Sequence, residues 1–216
     1  MKATALRRLW PALVLMVPTL GMAADPPPIQ LPAPQHRGGM PLMEALSARH
    51  SSREFAPRPL PRRVLSDLLW TAFGINRPDS GGRTAPSAHN WQEITVYLAM
   101  AEGLYRYDAR NNRLVPVLGR DIRALTGTQD FVATAPLDLI YVADLNAMKG
   151  AGEQDRLLYS AADTGFIAQN VYLYCASAGL NVVVRGSIDR SALAKAMGLG
   201  RGQRVVLSQT VGYPKR

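Results

Sequence analysis

The sequence has few cysteine and histidine residues. Its 216 residues include one cysteine, Cys175, and three histidines that are isolated from one another. A single cysteine excludes an intrachain disulfide, and the histidines lack the spacing that pairs metal ligands. Cys175 lies among apolar neighbours, where a thiolate would be disfavoured, so we predict a buried apolar residue there. The sequence therefore gives no support for metal-dependent or thiol-dependent catalysis.

Acidic residues are also few, at 16 against 25 lysines and arginines, which gives a formal net charge of +9. Three basic residues, Lys2, Arg7 and Arg8, lie in a segment that we expect to be removed, leaving 22 basic and 16 acidic residues, a balance of +6. The other basic residues are scattered, and no nucleic-acid-binding motif is present. The charge therefore favours anionic ligands over DNA or RNA.

No apolar run near the N-terminus is long enough to cross a bilayer. The run from Leu9 to Leu20 has only twelve residues and contains two prolines. Basic residues precede it and small residues follow it, a pattern typical of a secretory signal. We predict that residues 1–23 form a signal peptide cleaved after Ala23, which makes the mature protein periplasmic or secreted without stable membrane insertion. The pair Arg7-Arg8 leaves both the Sec and the twin-arginine route open.

The next segment, residues 24–37, contains five prolines. Proline favours extended backbone and leaves little apolar surface to bury, so the pattern predicts a linker. A single folded domain is then expected over residues 38–216, and a hydrophobic content of 47% is enough for a substantial core.

Hydrophobic periodicity predicts an α+β domain. The almost wholly apolar run from Leu137 to Ala143 is typical of a buried central strand. The helix predicted over residues 155–178 is apolar on nearly every face, which places it between the sheet and a second subunit. No glycine fingerprint follows a strand, as a dinucleotide-binding fold would require, and the order of elements favours a mainly antiparallel, mixed sheet flanked by helices. The predicted helices are 41–49, 60–73, 121–125, 155–178 and 190–197; the predicted strands are 93–99, 104–107, 114–118, 137–143, 182–185 and 204–211, with a loop over 75–87.

Cationic and hydroxyl side chains cluster directly after the first predicted helix. Arg49, Ser51 and Arg53 alternate there, and His50 lies among them. Guanidinium groups carry planar forks of donors that match phosphate oxygens, and hydroxyl groups can bind the remaining oxygens. The spacing therefore indicates an anion-binding site. A solvated basic helix end that complements the helix dipole is the alternative that this segment alone leaves open.

Six groups of residues occur in one order along the chain: Arg49-His50-Ser51-Ser52-Arg53-Glu54-Phe55; Leu68-Leu69-Trp70-Thr71-Ala72-Phe73-Gly74; Arg83-Thr84-Ala85-Pro86-Ser87-Ala88-His89-Asn90; Ala135-Pro136; Asp163 to Asn170 with Gly179-Leu180; and Val211-Gly212-Tyr213-Pro214. In this order and spacing they resemble the nitroreductase family of flavin enzymes, particularly its branch of SagB-type dehydrogenase-like proteins. The resemblance covers about residues 40–214.

The resemblance implies a nitroreductase-like homodimer with one FMN at each end of the subunit interface. Arg49, Ser51 and Arg53 match residues that hold the phosphate, the ribityl chain and the pyrimidine edge of the flavin. The loop that the partner subunit offers would contain Pro86, Ser87, Asn90 and Gln92. Gln129, or its neighbour Thr128, falls near a position that bonds the ring, and Gly186-Ser187 matches a turn beside flavin N5. The implied cofactor-binding residues are Arg49, His50, Ser51, Arg53, Pro86, Ser87, Asn90, Gln92, Gln129, Gly186, Ser187, Lys215 and Arg216.

The function implied by the resemblance is an FMN-dependent oxidoreductase. Hydride would pass in two-electron, ping-pong order from NADH, NADPH or another donor to a small organic acceptor, and flavin N5 rather than a catalytic side chain would carry the reaction. Two departures support the alternative of a non-catalytic flavin-binding or ligand-binding module. Gly186 stands where the family often has an acidic residue, and the chain stops at Lys215-Arg216, directly after Gly-Tyr-Pro. A basic adaptor for an acidic partner is a third alternative.

Overall fold

The computed structural model describes residues 27–215, so the predicted signal peptide, residues 24–26 and Arg216 lie outside the described residues. The strands are β1 (Ile29–Gln30), β2 (Ile75–Arg77), β3 (Gly82–Arg83), β4 (Ile94–Met100), β5 (Gly103–Asp108), β6 (Arg113–Leu118), β7 (Leu137–Asp144), β8 (Asn181–Arg185) and β9 (Gln203–Gly212). The α-helices are α1 (Leu42–Ala48), α2 (Arg62–Phe73), α3 (Glu153–Ala178) and α4 (Arg190–Met197).

Seven of the strands form one sheet in the order β1-β6-β5-β4-β7-β9-β8, and each pair of neighbours is antiparallel. The predicted α+β class with a mainly antiparallel sheet is therefore confirmed. β7 lies between β4 and β9, and its residues from Leu137 to Ala143 are all buried, as the apolar run predicts. β8 lies at one edge of the sheet.

Alternate residues of β7 face two separate cores. Leu139 and Tyr141 point into the larger core, where α2 and α3 cover one side of the sheet. Ile140 and Val142 point into the smaller core, which α4 helps to close through Leu193. Because the sheet is covered on both sides, chain segments can reach it only at its edges and at the ends of its strands.

The helix ends follow local signals in the sequence. Pro41 precedes the first residue of α1, and α3 ends at Gly179, whose φ of 64° is left-handed and favours glycine. The carboxylate of Asp189 caps α4 by accepting a hydrogen bond from the N–H of Ala192 at 2.9 Å. These predicted boundaries are confirmed.

The segment predicted as a linker lies against the domain over residues 29–37. β1 pairs with β6, and Leu31 is buried in the larger core. The carbonyl of Pro32 accepts hydrogen bonds from Ser66 at 2.5 Å and from Asn112 at 2.8 Å. The linker prediction is therefore wrong for these residues, because extended proline-rich backbone still presents its carbonyl groups to the domain and the side chains of Ile29 and Leu31 to the larger core.

Two shorter predictions also need correction. The predicted loop 75–87 contains a small hairpin, in which β2 pairs with β3. The helix predicted over 121–125 is only a 3₁₀ turn at Arg123–Leu125. Asp121 accepts a hydrogen bond from the N–H of Arg123 at 2.9 Å, and this local side-chain contact competes with a regular helix.

α3 is only partly buried within a single chain. Its buried residues face α2 and the sheet, whereas Leu158 is 64% exposed and Phe166 is 48% exposed. α1 packs beside α3, and its residues Leu42 and Met43 are also exposed. The exposed large apolar residues of these two helices that we call the apolar face below are Leu42, Met43, Leu46, Leu158 and Phe166.

Cys175 is fully buried in α3, as predicted, and burial raises the pKa of its thiol well above the ordinary value. None of the helices within residues 27–215 combines the length and the apolar character that a membrane crossing requires.

Candidate functional site

The segment after α1 runs along the edge strand β8. The backbone turns extended at Arg49, which ends the helix, and the N–H of Ser52 then donates a hydrogen bond to the carbonyl of Val182 at 2.9 Å. Two residues further on, the carbonyl of Glu54 accepts a hydrogen bond from the Asn181 amide at 2.6 Å. The predicted anion-binding residues are therefore held beside β8 by contacts distant in sequence.

Tyr172 of α3 joins this segment to the end of β8. Its hydroxyl lies 2.8 Å from the hydroxyl of Ser51 and accepts a hydrogen bond from the N–H of Val184 at 2.9 Å. The guanidinium of Arg49 lies 5.5 Å from the centre of the Tyr172 ring, within the range of a cation–π contact. Arg49 is half-buried and Ser51 is exposed, so both remain accessible to a ligand.

Within the described residues, no carboxylate forms an ion pair with the cationic groups of this segment. Among residues 27–215, neither Arg49 nor Arg53 belongs to an ion pair. His50 is exposed, and its ring nitrogen Nδ1 lies 2.9 Å from the carbonyl of Ala48. The segment therefore offers two guanidinium groups and a hydroxyl to an anion without competition from a neighbouring carboxylate.

The turn after β8 meets a second segment, residues 126–129. Gly186 and Ser187 are exposed, and the carbonyl of Ser187 accepts a hydrogen bond from the N–H of Thr128 at 3.1 Å. Gln129 follows, half-buried, with its Oε1 atom buried and without a hydrogen-bond donor in the part of the chain that the structure describes. The structure thus brings Gly186-Ser187 and the Thr128-Gln129 pair to one end of β8.

A buried ion pair lies behind this turn. Arg185 Nη2 donates to Asp138 Oδ1 at 2.7 Å, and the side chains are 3% and 0% exposed. Burial lowers the pKa of Arg185 and raises the pKa of Asp138, and each partner opposes the shift of the other. The hydroxyl of Thr210 also contacts Asp138.

The loop containing Pro86, Ser87, Asn90 and Gln92 lies elsewhere on the same chain, against the first half of α3. The N–H of Ala88 donates to the Asp163 carboxylate at 2.9 Å. The backbone has positive φ at His89, Asn90 and Gln92, of 49°, 54° and 49°, which gives the loop a tight, irregular shape.

Ser87 and Gln92 stabilise this loop from within. The hydroxyl of Ser87 accepts a hydrogen bond from the Gln92 N–H at 2.8 Å and lies 3.2 Å from Glu93 Oε2. Burial, together with the neighbouring Asp163 carboxylate, raises the pKa of Glu93. Arg83 donates to Gln92 Oε1 at 2.8 Å.

The two groups of predicted residues are therefore separated along α3 within one chain. Asp163 holds the loop and Tyr172 holds the Arg49 segment, and nine residues of helix between them span about 14 Å. The C-terminal residues form part of neither contact: Lys215 is exposed beyond Pro214, which pairs with Phe55, and Arg216 lies outside the described residues.

Sequence reasoning missed three residues that organise the site, namely Tyr172, Arg185 and Asp138. A signal for Asp138 was available, because a carboxylate inside an otherwise apolar buried strand requires a partner. Tyr172 carries no such signal, since a tyrosine in a long apolar helix has the same pattern whether its hydroxyl is used or not.

The chain is similar to known proteins in sequence and in structure. The sequence matches the model of the nitroreductase family over residues 46–213. A candidate nitroreductase of Methanocaldococcus jannaschii is 31% identical over 156 residues, which cover 68% of this chain and 78% of that protein. The crystal structure of a candidate nitroreductase from Ralstonia eutropha has a TM-score of 0.85 and 47% identity, covering 90% of this chain and 92% of that one.

A more distant solved structure shares the fold. The NADPH:FMN oxidoreductase of Vibrio harveyi, in complex with NAD⁺, has a TM-score of 0.60 and 19% identity, covering 81% of this chain and 69% of that one. At this identity the similarity concerns the fold alone.

Proposed function

As the chain belongs to the nitroreductase family, whose members are generally FMN-dependent oxidoreductases, we propose that it binds FMN and acts as an oxidoreductase. Bound FMN would supply two-electron chemistry, accepting hydride from NADH, NADPH or another donor and passing it to a small organic acceptor in ping-pong order. The order of motifs favours the SagB-type dehydrogenase-like branch, and residues 1–23 favour a periplasmic or secreted location.

The single observation that carries this proposal is the Tyr172 bridge. It fixes the segment of Arg49, Ser51 and Arg53 beside the end of β8, where Gly186-Ser187 and Gln129 also lie. Guanidinium and hydroxyl donors bind phosphate oxygens well, and polar groups beside an open surface can bond the edge of a flavin ring. The residues present supply both, at adjacent places along one strand edge.

In this proposal the side chains bind and orient the cofactor. Arg49 and Ser51 would hold the phosphate and the ribityl chain, and Arg53 would place positive charge at the pyrimidine edge, where reduction increases negative charge. Gln129, or Thr128, would bond the ring, and the exposed turn at Gly186-Ser187 would leave one face open to small molecules. No side chain at this place is required to act as a nucleophile.

The proposed active form is a homodimer. Nitroreductases are commonly homodimers, and the apolar face on α1 and α3 is the kind of surface that a second subunit covers. The loop at residues 86–92 lies about 14 Å along α3 from the Arg49 segment of its own chain. A twofold axis that crosses α3 between them would bring each loop to the Arg49 segment of the partner.

The test is the absorbance spectrum of the purified mature protein, together with its mass in solution. We expect the visible absorbance bands of an oxidised flavin, one FMN per subunit and the mass of a dimer. A colourless protein that does not bind added FMN would exclude the proposed function.

A second candidate function, a non-catalytic flavin-binding module, is favoured by one observation. Gly186 is exposed at the turn and offers no side chain where the family often has an acidic residue. Anaerobic rapid mixing with NADH, NADPH and dithionite separates the two functions. Reduction by dithionite alone, followed by no turnover with any acceptor, would identify the binding module.

A further inference from the structure

The Arg185–Asp138 pair is the one fully buried ion pair among residues 27–215. Transferring two charges out of water is unfavourable, and the mutual attraction offsets this cost only with good geometry and further hydrogen bonds. Apolar residues of similar size often serve stability equally well. The position of the pair in the fold therefore calls for an explanation beyond stability.

The buried guanidinium of Arg185 holds residues 126–129 from the interior of the domain. Nη1 donates to the carbonyl of Thr126 at 2.7 Å, and the same carbonyl accepts a hydrogen bond from Ser208 at 2.6 Å. A β-carbon at residue 127 would lie 1.9 Å from Nη1 and 2.8 Å from Gln129 Oε1, so a larger residue there would have to displace the buried guanidinium. The segment is thus folded closely over the charged group.

Arg185 also directly precedes the turn at Gly186-Ser187. The N–H of Thr128 donates a hydrogen bond to the carbonyl of Ser187. This bond joins residues 126–129 to the turn a second time, outside the buried ion pair. The pair therefore ties together two separate parts of the chain, and Gln129 Oε1 is buried beside the same glycine, Gly127, that the guanidinium approaches.

We infer that Arg185 and Asp138 are positioning residues that hold Gln129 and the Gly186-Ser187 turn at a fixed separation to receive the flavin ring. This inference rests on the proposed function. The pair does not itself touch the ring, and it acts through the backbone of residues 126–129 and through the turn that follows β8.

The decisive variant replaces both charges with apolar groups, Asp138→Leu with Arg185→Met. We expect the variant to retain thermal stability without cofactor, because apolar replacement of a buried pair is often neutral. We expect its Kd for FMN to rise at least tenfold and the visible spectrum of any bound flavin to shift. A role confined to stability predicts unchanged affinity and spectrum.

Arg185→Lys keeps the test valid if the double variant does not fold, because it retains both charges and removes the fork that reaches Thr126. It should weaken FMN binding at least tenfold. Tyr141→Phe is the matched control, because it removes another buried hydrogen bond between β7 and β9, to Gln209 at 2.5 Å, on the opposite face of the sheet. It should lower stability and leave the Kd unchanged.

The outcomes separate the two proposals. Wild-type protein that does not bind FMN overturns the proposed function and this inference with it. Wild-type protein that binds FMN, with variants whose Kd and flavin spectrum match those of Tyr141→Phe, overturns the inference alone.

Discussion

Individual side chains at the candidate site make separable contributions, and Arg49 is the first to test. Arg49→Ala removes a guanidinium that has no carboxylate partner in the described part of the chain. A charge-assisted hydrogen bond contributes about 1.5 to 3 kcal/mol, so the Kd for FMN should rise by roughly 10-fold to 100-fold. Fluorescence titration of apoprotein with FMN measures this change.

The matched control for Arg49→Ala is Arg120→Ala, which removes one exposed positive charge from another part of the surface. Comparing the two corrects for the loss of net charge. Equal flavin affinity in both variants would contradict the role assigned to Arg49.

Glu93 gives a prediction about pH. Its side chain is 2% exposed, Oε1 has no donor within the described residues, and burial beside Asp163 raises its pKa. The folded state therefore keeps a proton at pH values where the unfolded carboxyl, with a pKa of about 4.3, has lost it. The free energy of unfolding must then fall as pH rises from about 4.3 through the raised pKa.

Glu93→Gln should flatten this dependence, because the amide does not titrate. Urea unfolding at several pH values between 4.5 and 8, at constant ionic strength, measures the slope. Glu102→Gln, at an exposed carboxylate, is the control and should keep the wild-type slope. If the free energy of unfolding of Glu93→Gln depended on pH as steeply as that of the wild type, the pKa of Glu93 would be the same in the folded and unfolded states, which would contradict the prediction.

The limits of sequence reasoning are visible at this scale. Arg49 and Ser51 could be predicted as an anion site because chemistry and spacing lie within five consecutive residues. The contacts of Tyr172 and Arg185 could not, since their partners are 121 and 47 residues away in sequence. Such pairs depend on how strands align, which local patterns do not contain.

At the scale of elements, the long helices and the sheet strands were predictable and the short elements were not. The buried strand β7 and the long helix α3 each have enough periodic residues to determine their type. β1, β2 and β3 have two or three residues each and exist only through pairing with β6 or with each other. Their sequences, rich in proline and glycine nearby, resemble loops.

The segment before α1 supplies an element-scale prediction. Leu31 is 3% exposed and packs into the larger core from beside β1, so Leu31→Ala should lower the free energy of unfolding by about 2 kcal/mol or more. Val117→Ala, at a residue of β6 that is 37% exposed, should cost far less. Denaturant unfolding compares them. Equal small effects would restore the view of residues 29–37 as a free linker.

α3 gives the second prediction at this scale. Phe166→Glu places a charge on the apolar face, where desolvating it against a partner subunit would be costly. We expect light scattering after size-exclusion chromatography to show monomers, and FMN content to fall with the mass. Val117→Glu places the same charge on an exposed apolar residue of β6 and should leave a dimer. A dimeric Phe166→Glu protein would move the subunit interface away from α3.

At the scale of the whole molecule, one chain carries the two parts of the proposed site in separate places. Tyr172 and Asp163 hold these parts at different levels of the same helix. The sequence suggested a site shared between two subunits only through a family resemblance, because local sequence patterns do not determine how α3 of one subunit packs against its partner. The fold adds the physical reason: a single chain does not bring the loop at residues 86–92 to Arg49.

A mixed dimer tests this arrangement directly. Arg49→Ala should damage the site on its own subunit, and Asn90→Asp should damage the partner's site by placing a negative charge beside an anionic cofactor; aspartate also tolerates the left-handed φ of 54° at this position. Each homodimer then has two damaged sites. In the mixed dimer, both changes fall on one site and the other site is intact.

We therefore expect one FMN per mixed dimer, near zero for either variant homodimer, and two for a wild-type dimer whose subunits carry the same two tags. Co-expression of differently tagged subunits, purification on both tags and flavin absorbance against protein concentration give these ratios, at a free FMN concentration well above the wild-type Kd and below the Kd of the variants. If each site were built from one chain, the mixed dimer would contain one site damaged by Arg49→Ala and one damaged by Asn90→Asp. It would then bind no more FMN than the homodimers, and the shared site would be excluded.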